Sequence, residues 1–246
     1  MQFSMQVLWL SKWRMPRILG SGEGRATQRR HALYAAHKQV VCYLKTLNFL
    51  DLVDFCTEGK PAEEVSIVVA NHPSLLDFIV FLRDFPNAIC LYKAASLKNP
   101  VLSSFVRVAG YIEGMDGTSS ACKRIVASCC ERLEEGHHVV FFPEGTRSSS
   151  AQSMHKFHKT AFHVAVKSGV AIQPVAIYCR PLFLGKGQSW ISFCRANNRM
   201  IVRYLPPVQI NDLAEEQRNA NGLSEVVKER IEQALESMGK MPTNES

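Results

Sequence analysis

Three short apolar runs constrain how this chain can fold: Ser66-Ile-Val-Val-Ala70, Ala88-Ile-Cys-Leu-Tyr92 and Val139-Val-Phe-Phe142. Runs this short, rich in β-branched and aromatic residues, suit strands buried on both faces. Each gives way to a polar turn, and stretches of helical length lie between them. Such alternation predicts an α/β fold with a central, mostly parallel sheet flanked by helices. Further strands are predicted over 171–177, 189–194 and 199–205. Further helices are predicted from Pro100 to near Gly110, from Thr118 or Ser119 to Gly136, over 157–168 and over 223–238. Pro174 cannot donate to a ladder, so its strand belongs at an edge or carries the proline at its start.

Ahead of these elements lies a basic, amphipathic amino end. Residues 1–20 set Phe3, Val7, Trp9, Leu10, Trp13, Ile18 and Leu19 among Lys12, Arg14 and Arg17. Such a segment fits a bilayer interface, and equally a helix packed on the protein's own core. Leu33, Ala36, Val40, Val41, Leu44 and Leu47 continue a helical pattern over 27–50, giving a two-helix amphipathic unit. Of the formal charge of +7, the first 50 residues carry all, since eight cations there face the single acid Glu23. Charge confined to one end points to an anionic membrane surface or acidic partner rather than to nucleic acid. No run reaches the about 18 apolar residues of a spanning helix. The division predicted is a membrane-associating helical unit over 1–55 and an α/β domain over 56–240. Eight cysteines without a C-x-x-C pair read as reduced thiols, which suits the cytoplasmic face of a membrane, peripheral or monotopic.

The polar turns carry the chemistry. After the 66–70 run come Asn71, His72 and Pro73, and a helix is predicted from Pro73 or Ser74. On one continuous helix His72 and Asp77 would stand about 140° apart. With His72 in the turn, Asp77 can face back and hold one imidazole nitrogen, leaving the other free to accept a proton. Taken alone, the pair fits a turn histidine beside a helix-capping carboxylate just as well. After the 139–142 run, Glu144-Gly-Thr-Arg147 combines a glycine for close backbone approach, a hydroxyl and a guanidinium fork. This is an anion site or a structural turn with an internal ion pair. Lys93 follows the second strand. His155, His158 and His163 suit no standard metal site.

Together, Asn-His-Pro-Ser-Leu-Leu-Asp (71–77) and Phe-Pro-Glu-Gly-Thr-Arg-Ser (142–148) resemble the glycerolipid acyltransferase family, most nearly its lysophosphatidate acyltransferases. The likeness covers roughly residues 60–180. It extends to Lys93 and Lys98, to Ala109-Gly110, to Phe157 and Lys159, and to Ile172-Gln-Pro-Val-Ala176. It implies His72 as catalytic base, Asp77 as its orienting acid, and Glu144, Gly145, Thr146 and Arg147, with Lys93, around the acceptor's phosphate. It implies an acyl thioester on coenzyme A or acyl carrier protein as co-substrate, a lysophospholipid acceptor and a membrane surface, with no bound cofactor, metal or nucleic acid. Two positions depart from the family's pattern. Asp116 stands where the family usually has a phosphate-holding arginine, and Thr160 replaces a glycine. An acceptor without phosphate, such as a lyso-aminolipid, follows from the first departure. A catalytically silent lipid-binding protein is the reading from another class.

Overall fold

The computed structural model describes residues 14–92, 100–114, 119–148, 150, 154–188, 193 and 197–240. Trp9, Leu10, Trp13, Lys93, Lys98, Asp116 and nearly all of the 189–194 run lie outside these. The described chain has seven strands and seven α-helices. Four of the five strand pairings within its compact units are parallel, which makes the fold the mixed, helix-flanked α/β type expected. Contacts divide it into two compact units.

One unit comprises residues 1–46 and 78–140. Its helices are α1 (Met15–Leu19), α2 (Arg25–Phe49), α3 (Asp77–Asp84), α4 (Pro100–Ala109) and α5 (Ser119–Glu134). Strand β3 (Ile89–Tyr92) pairs in parallel with β4 (Ile112–Glu113) and with β5 (Val139–Phe141). Met15 and Ile18 of α1 are buried in one cluster with Ala32, Ala35 and Val108, and Phe105 packs against it. Met15 and Ile18 thus belong to the core, while Arg14, Pro16 and Arg17 on the same segment are exposed. Tyr34, Phe49 and Leu50 are the large apolar side chains of the α2 region left exposed. Among the described residues, no helix is long and apolar enough to cross a membrane.

The other unit comprises residues 47–77 and 141–246. It contains β1 (Val53–Glu58), β2 (Ile67–Ala70), β6 (Ile172–Arg180), β7 (Asn198–Tyr204), α6 (Thr160–Ser168) and α7 (Ala220–Gly239). β2 runs parallel to β6, β6 antiparallel to β7, and β7 parallel to β1. All four residues of β2 are buried, as its uninterrupted apolar run requires. Asn219 caps α7 by accepting from the backbone N–H groups of Asn221 and Gly222.

Pro174 sits inside a strand bonded on both sides, which corrects the edge placement. The position is still near the strand's start, where the β7 ladder runs out. The Pro174 carbonyl accepts from Leu205 N–H at 3.0 Å, and the amide of Gln173 donates to the Leu205 carbonyl that proline leaves unmet. A side chain thus replaces the missing backbone donor.

Candidate active site

Strand β2 ends at Ala70, and the next seven residues build one wall of the site. Asn71 is buried, and its side-chain amide spans β6 at one point: it donates to the Ile177 carbonyl at 2.8 Å and accepts from Ile177 N–H at 2.7 Å. This bidentate clamp fixes where the chain leaves the sheet, so His72 emerges at a defined place beyond the strand end. α3 starts only at Asp77, four residues later than proline at 73 suggests. Residues 74–76 are a turn instead, because Leu75 N–H is drawn to the Leu184 carbonyl at 3.3 Å and Ser74 N–H to Asp77 Oδ2 at 2.9 Å.

The delayed start brings the pair together. His72 Nδ1 lies 2.8 Å from Asp77 Oδ2. Asp77 is wholly buried, whereas the His72 side chain keeps 22% of its surface exposed. Phe142 stacks on the imidazole with ring centres 4.3 Å apart and planes at 25°. An ionised Asp77 makes Nδ1 the donor, so the outward nitrogen Nε2 is left as the acceptor. Burial pushes the Asp77 carboxyl upward from its ordinary 3.8; the bonds from His72 and Ser74 oppose the rise, and the Glu144 charge adds to it. Its second oxygen, Oδ1, is buried with no hydrogen-bond partner among the described residues. Cys179, facing this charge, is raised well above the ordinary thiol range, by burial first and then by Asp77. It is therefore a neutral neighbour rather than a nucleophile.

The second turn, Phe142 to Ser148, is bonded directly to the first. Ser148 N–H donates to the His72 carbonyl at 2.7 Å, and His72 N–H donates to Glu144 Oε1 at 3.0 Å. Ser148 Oγ donates to the same oxygen at 2.7 Å, and His155 N–H to Oε2 at 2.8 Å. Glu144 is only 4% exposed. Its carboxylate is thus occupied by three donors from three chain segments, and Arg147 is not among them. Gly145 adopts φ +66°, and a β-carbon there would press on the His158 ring at 3.1 Å. A side chain would therefore be strained by both backbone and neighbour. Thr146 is half-buried beside it.

Arg147 points to the loop after β6. Its Nη1 donates to the carbonyls of Leu184 at 2.8 Å and Gly185 at 2.9 Å. Leu184 has φ +50°, a conformation that needs holding. The same Leu184 carbonyl takes Leu75 N–H, so this loop is tied to both turns. His72, Asp77, Glu144 and Arg147 thus lie in one bonded network, and Gly145 and Thr146 stand on its second turn. Asn71 and Ser148 belong to it as well. The sequence singled out neither, although Asn71, a polar residue closing an apolar strand, was the visible signal for the first. No cluster of three metal-ligating side chains occurs among the described residues.

A buried carboxylate orienting a partly exposed imidazole at the carboxyl end of a parallel strand is an arrangement able to take a proton from a bound hydroxyl. The chain belongs to the acyltransferase family whose model matches residues 55–178. It is 32% identical over 123 residues to the chloroplastic 1-acyl-sn-glycerol-3-phosphate acyltransferase of Arabidopsis thaliana, covering 49% of this chain and 34% of that protein. It is also 32% identical over 124 residues to the lyso-ornithine lipid O-acyltransferase of Pseudomonas aeruginosa, covering 50% and 46%. The chain spans between 34% and 66% of the length of the relatives it matches first. The fold is that of the crystal structure of the 1-acyl-sn-glycerophosphate acyltransferase PlsC from Thermotoga maritima: TM-score 0.69 and 22% identity over 99% of this chain and 100% of that one.

Proposed function

We propose that the protein transfers a fatty acyl group from an acyl thioester to the free hydroxyl of a lysophospholipid, with 1-acylglycerol-3-phosphate as acceptor. The observation that carries this is the His72–Asp77 bond, with its buried carboxylate and outward Nε2. His72 Nε2 takes the acceptor's hydroxyl proton as the oxygen attacks the thioester carbonyl. Asp77 holds the ring and stabilises the imidazolium that forms. The tetrahedral intermediate then collapses, the carbon–sulfur bond breaks and the thiolate leaves, taking up a proton from the imidazolium. No nucleophile from the protein is needed.

The second turn serves the acceptor. Arg147 Nη1 is committed to the 184–185 carbonyls, so the remaining N–H groups of its fork are the ones a phosphate meets. Gly145 and Thr146 offer close backbone approach and a hydroxyl; Glu144 keeps the turn in place. Lys93 is proposed as a second cation toward the same phosphate. The donor is a thioester of coenzyme A or acyl carrier protein. The protein works at a membrane, held peripherally through the basic amino-terminal 50 residues. Exposed Phe49 and Leu50 add apolar surface to that reading.

A second reading keeps the same chemistry with a phosphate-free acceptor. Two observations favour it: Arg147 already spends one nitrogen on the protein's own backbone, and the similar Pseudomonas protein is named for a lyso-ornithine lipid. The test is competition between lysophosphatidate and lyso-ornithine lipid for a labelled acyl thioester, with wild type and Asp116→Arg. Labelled phosphatidate formed by the wild type supports the first reading. Phosphatidate formed only by Asp116→Arg, with the ornithine lipid acylated by the wild type, overturns it. Product from neither acceptor and neither donor would leave the silent lipid-binding protein.

A further inference from the structure

We propose that a cavity in the unit of residues 1–46 and 78–140, distinct in its lining from residues 71–77 and 142–148, binds a ligand bearing clustered phosphate groups. Its volume is about 700 Å³, and it is lined by α2, α4, α5 and the segment that enters β4. That volume falls in the range of sites that take nucleotide-sized ligands, roughly 300–1,000 Å³. Five arginines line it: Arg25 and Arg29 from α2, Arg107 from α4, and Arg124 and Arg132 from α5.

The charge is not balanced from within. Arg29 and Arg132 share one carboxylate, Glu135, and Glu113 is the single acid in the lining. Arg25, Arg107 and Arg124 form no ion pair among the described residues. Long basic side chains usually diverge into solvent; here three helices bring five of them round one concavity. Fully buried parts are also unmet. Arg29 is 9% exposed, and its Nε has no hydrogen-bond partner among the described residues; Arg132 Nε and Tyr111 Oη are in the same position. Native structures rarely leave such polar atoms without a partner. Burial, then the neighbouring Arg132, lowers Arg29 from its ordinary value, so an anion in the cavity would restore what burial removes.

The backbone is shaped for this arrangement. Gly110 has φ +70°, and a β-carbon there would run into the Arg29 guanidinium. Any other residue at 110 would push that side chain out of its seat. A simple surface patch of arginines makes no such demand on its neighbours.

Two sources supply phosphates of this kind: the nucleotide end of a coenzyme A thioester, and an anionic lipid headgroup. The first source rests on the thioester donor proposed above; the site itself does not. The test is calorimetric binding of adenosine 3′,5′-bisphosphate, beside co-sedimentation with phosphatidate-containing vesicles. It compares wild type, Arg107→Gln/Arg124→Gln, Arg107→Lys/Arg124→Lys and His72→Ala. Both arginines are largely exposed, so the variants should fold, and a thermal melt checks this. The expected result is bisphosphate binding weakened at least about tenfold by the glutamine pair, rescued in part by the lysine pair and untouched by His72→Ala. Vesicle retention lost in the glutamine pair, with no bisphosphate bound by any form, supports the site and assigns it to a lipid headgroup. Bisphosphate binding and vesicle retention that are the same in wild type and the glutamine pair overturn the site. Binding as expected in a protein that transfers no acyl group would refute the enzymatic reading and leave the site intact.

Discussion

The turns at 71–77 and 142–148 each hold one buried carboxylate, and the two are spent differently. Asp77 gives one oxygen to Ser74 N–H and to the imidazole of His72, and leaves the other without a partner. Glu144 gives both oxygens to three donors, two of them backbone N–H groups. A carboxylate that meets all its needs within the scaffold is architectural. One that leaves an oxygen bare while it aims a partly exposed ring carries a stability cost that folding alone would not select. The comparison separates two residues that a motif would treat alike: in the proposed mechanism Asp77 acts on the reaction through His72, and Glu144 acts on the shape of both turns.

The largest effect that can break this distinction belongs to Asp77→Asn. The amide cannot hold the imidazole in the same tautomer or stabilise its cation, so kcat is expected to fall about 10²- to 10⁴-fold. Stability should not fall with it. A carboxyl whose folded pKa is raised stabilises fully below its unfolded 3.8 and loses that contribution as pH rises through the folded value. At neutral pH the ionised Asp77 is therefore a cost, and Asp77→Asn should melt no lower than wild type at pH 7. A melt well below wild type would make Asp77 architectural after all.

Glu144→Gln should give the opposite pattern. It turns an NH₂ group toward backbone N–H donors, which costs about 2 kcal/mol of stability measured by denaturant unfolding. Activity should fall with stability and recover in part under stabilising conditions. Full stability with lost turnover would instead make Glu144 a direct participant.

An effect no larger than this serves as a control in the other unit. His138 is buried against Phe85, and burial, with His137 beside it, lowers it to about 4. A depressed histidine contributes stability above its unfolded 6.5 and loses it as pH falls toward 4. Wild type should lose about 2 kcal/mol between pH 7 and 4.5 from this group, and His138→Phe should lose less. Equal acid sensitivity in both would remove His138 from the account.

Much of this was legible in the residues, for reasons of length and periodicity. The β2, β3 and β5 runs were read to within a residue or two, because an unbroken apolar run has few other places to go. Strand β1, Val53-Asp-Phe-Cys-Thr-Glu58, escaped notice because only Val53 is buried and its pattern is set by pairing with β7. The two-residue β4 is too short for any pattern. At the site, turn placement put His72 at a strand's end. Apart from the nearby Ser148 hydroxyl, the partners of Glu144 and Arg147 were not legible, since they are backbone groups of His72, His155, Leu184 and Gly185, 11 to 72 positions away. Sequence motifs name side chains; the scaffold that holds them here is largely main chain. The late start of α3 has the same cause, as Leu184 captures an N–H that a helix would have left to water.

The central claim is that His72 is the base. The most direct test is turnover of a labelled acyl thioester by purified His72→Ala, beside a thermal melt of the same preparation. His72 is half-buried in a turn and contributes little to the core. Turnover is expected to fall by at least about 10³-fold with a melting temperature within a few degrees of wild type. Near-normal turnover by a folded His72→Ala protein would contradict the claim.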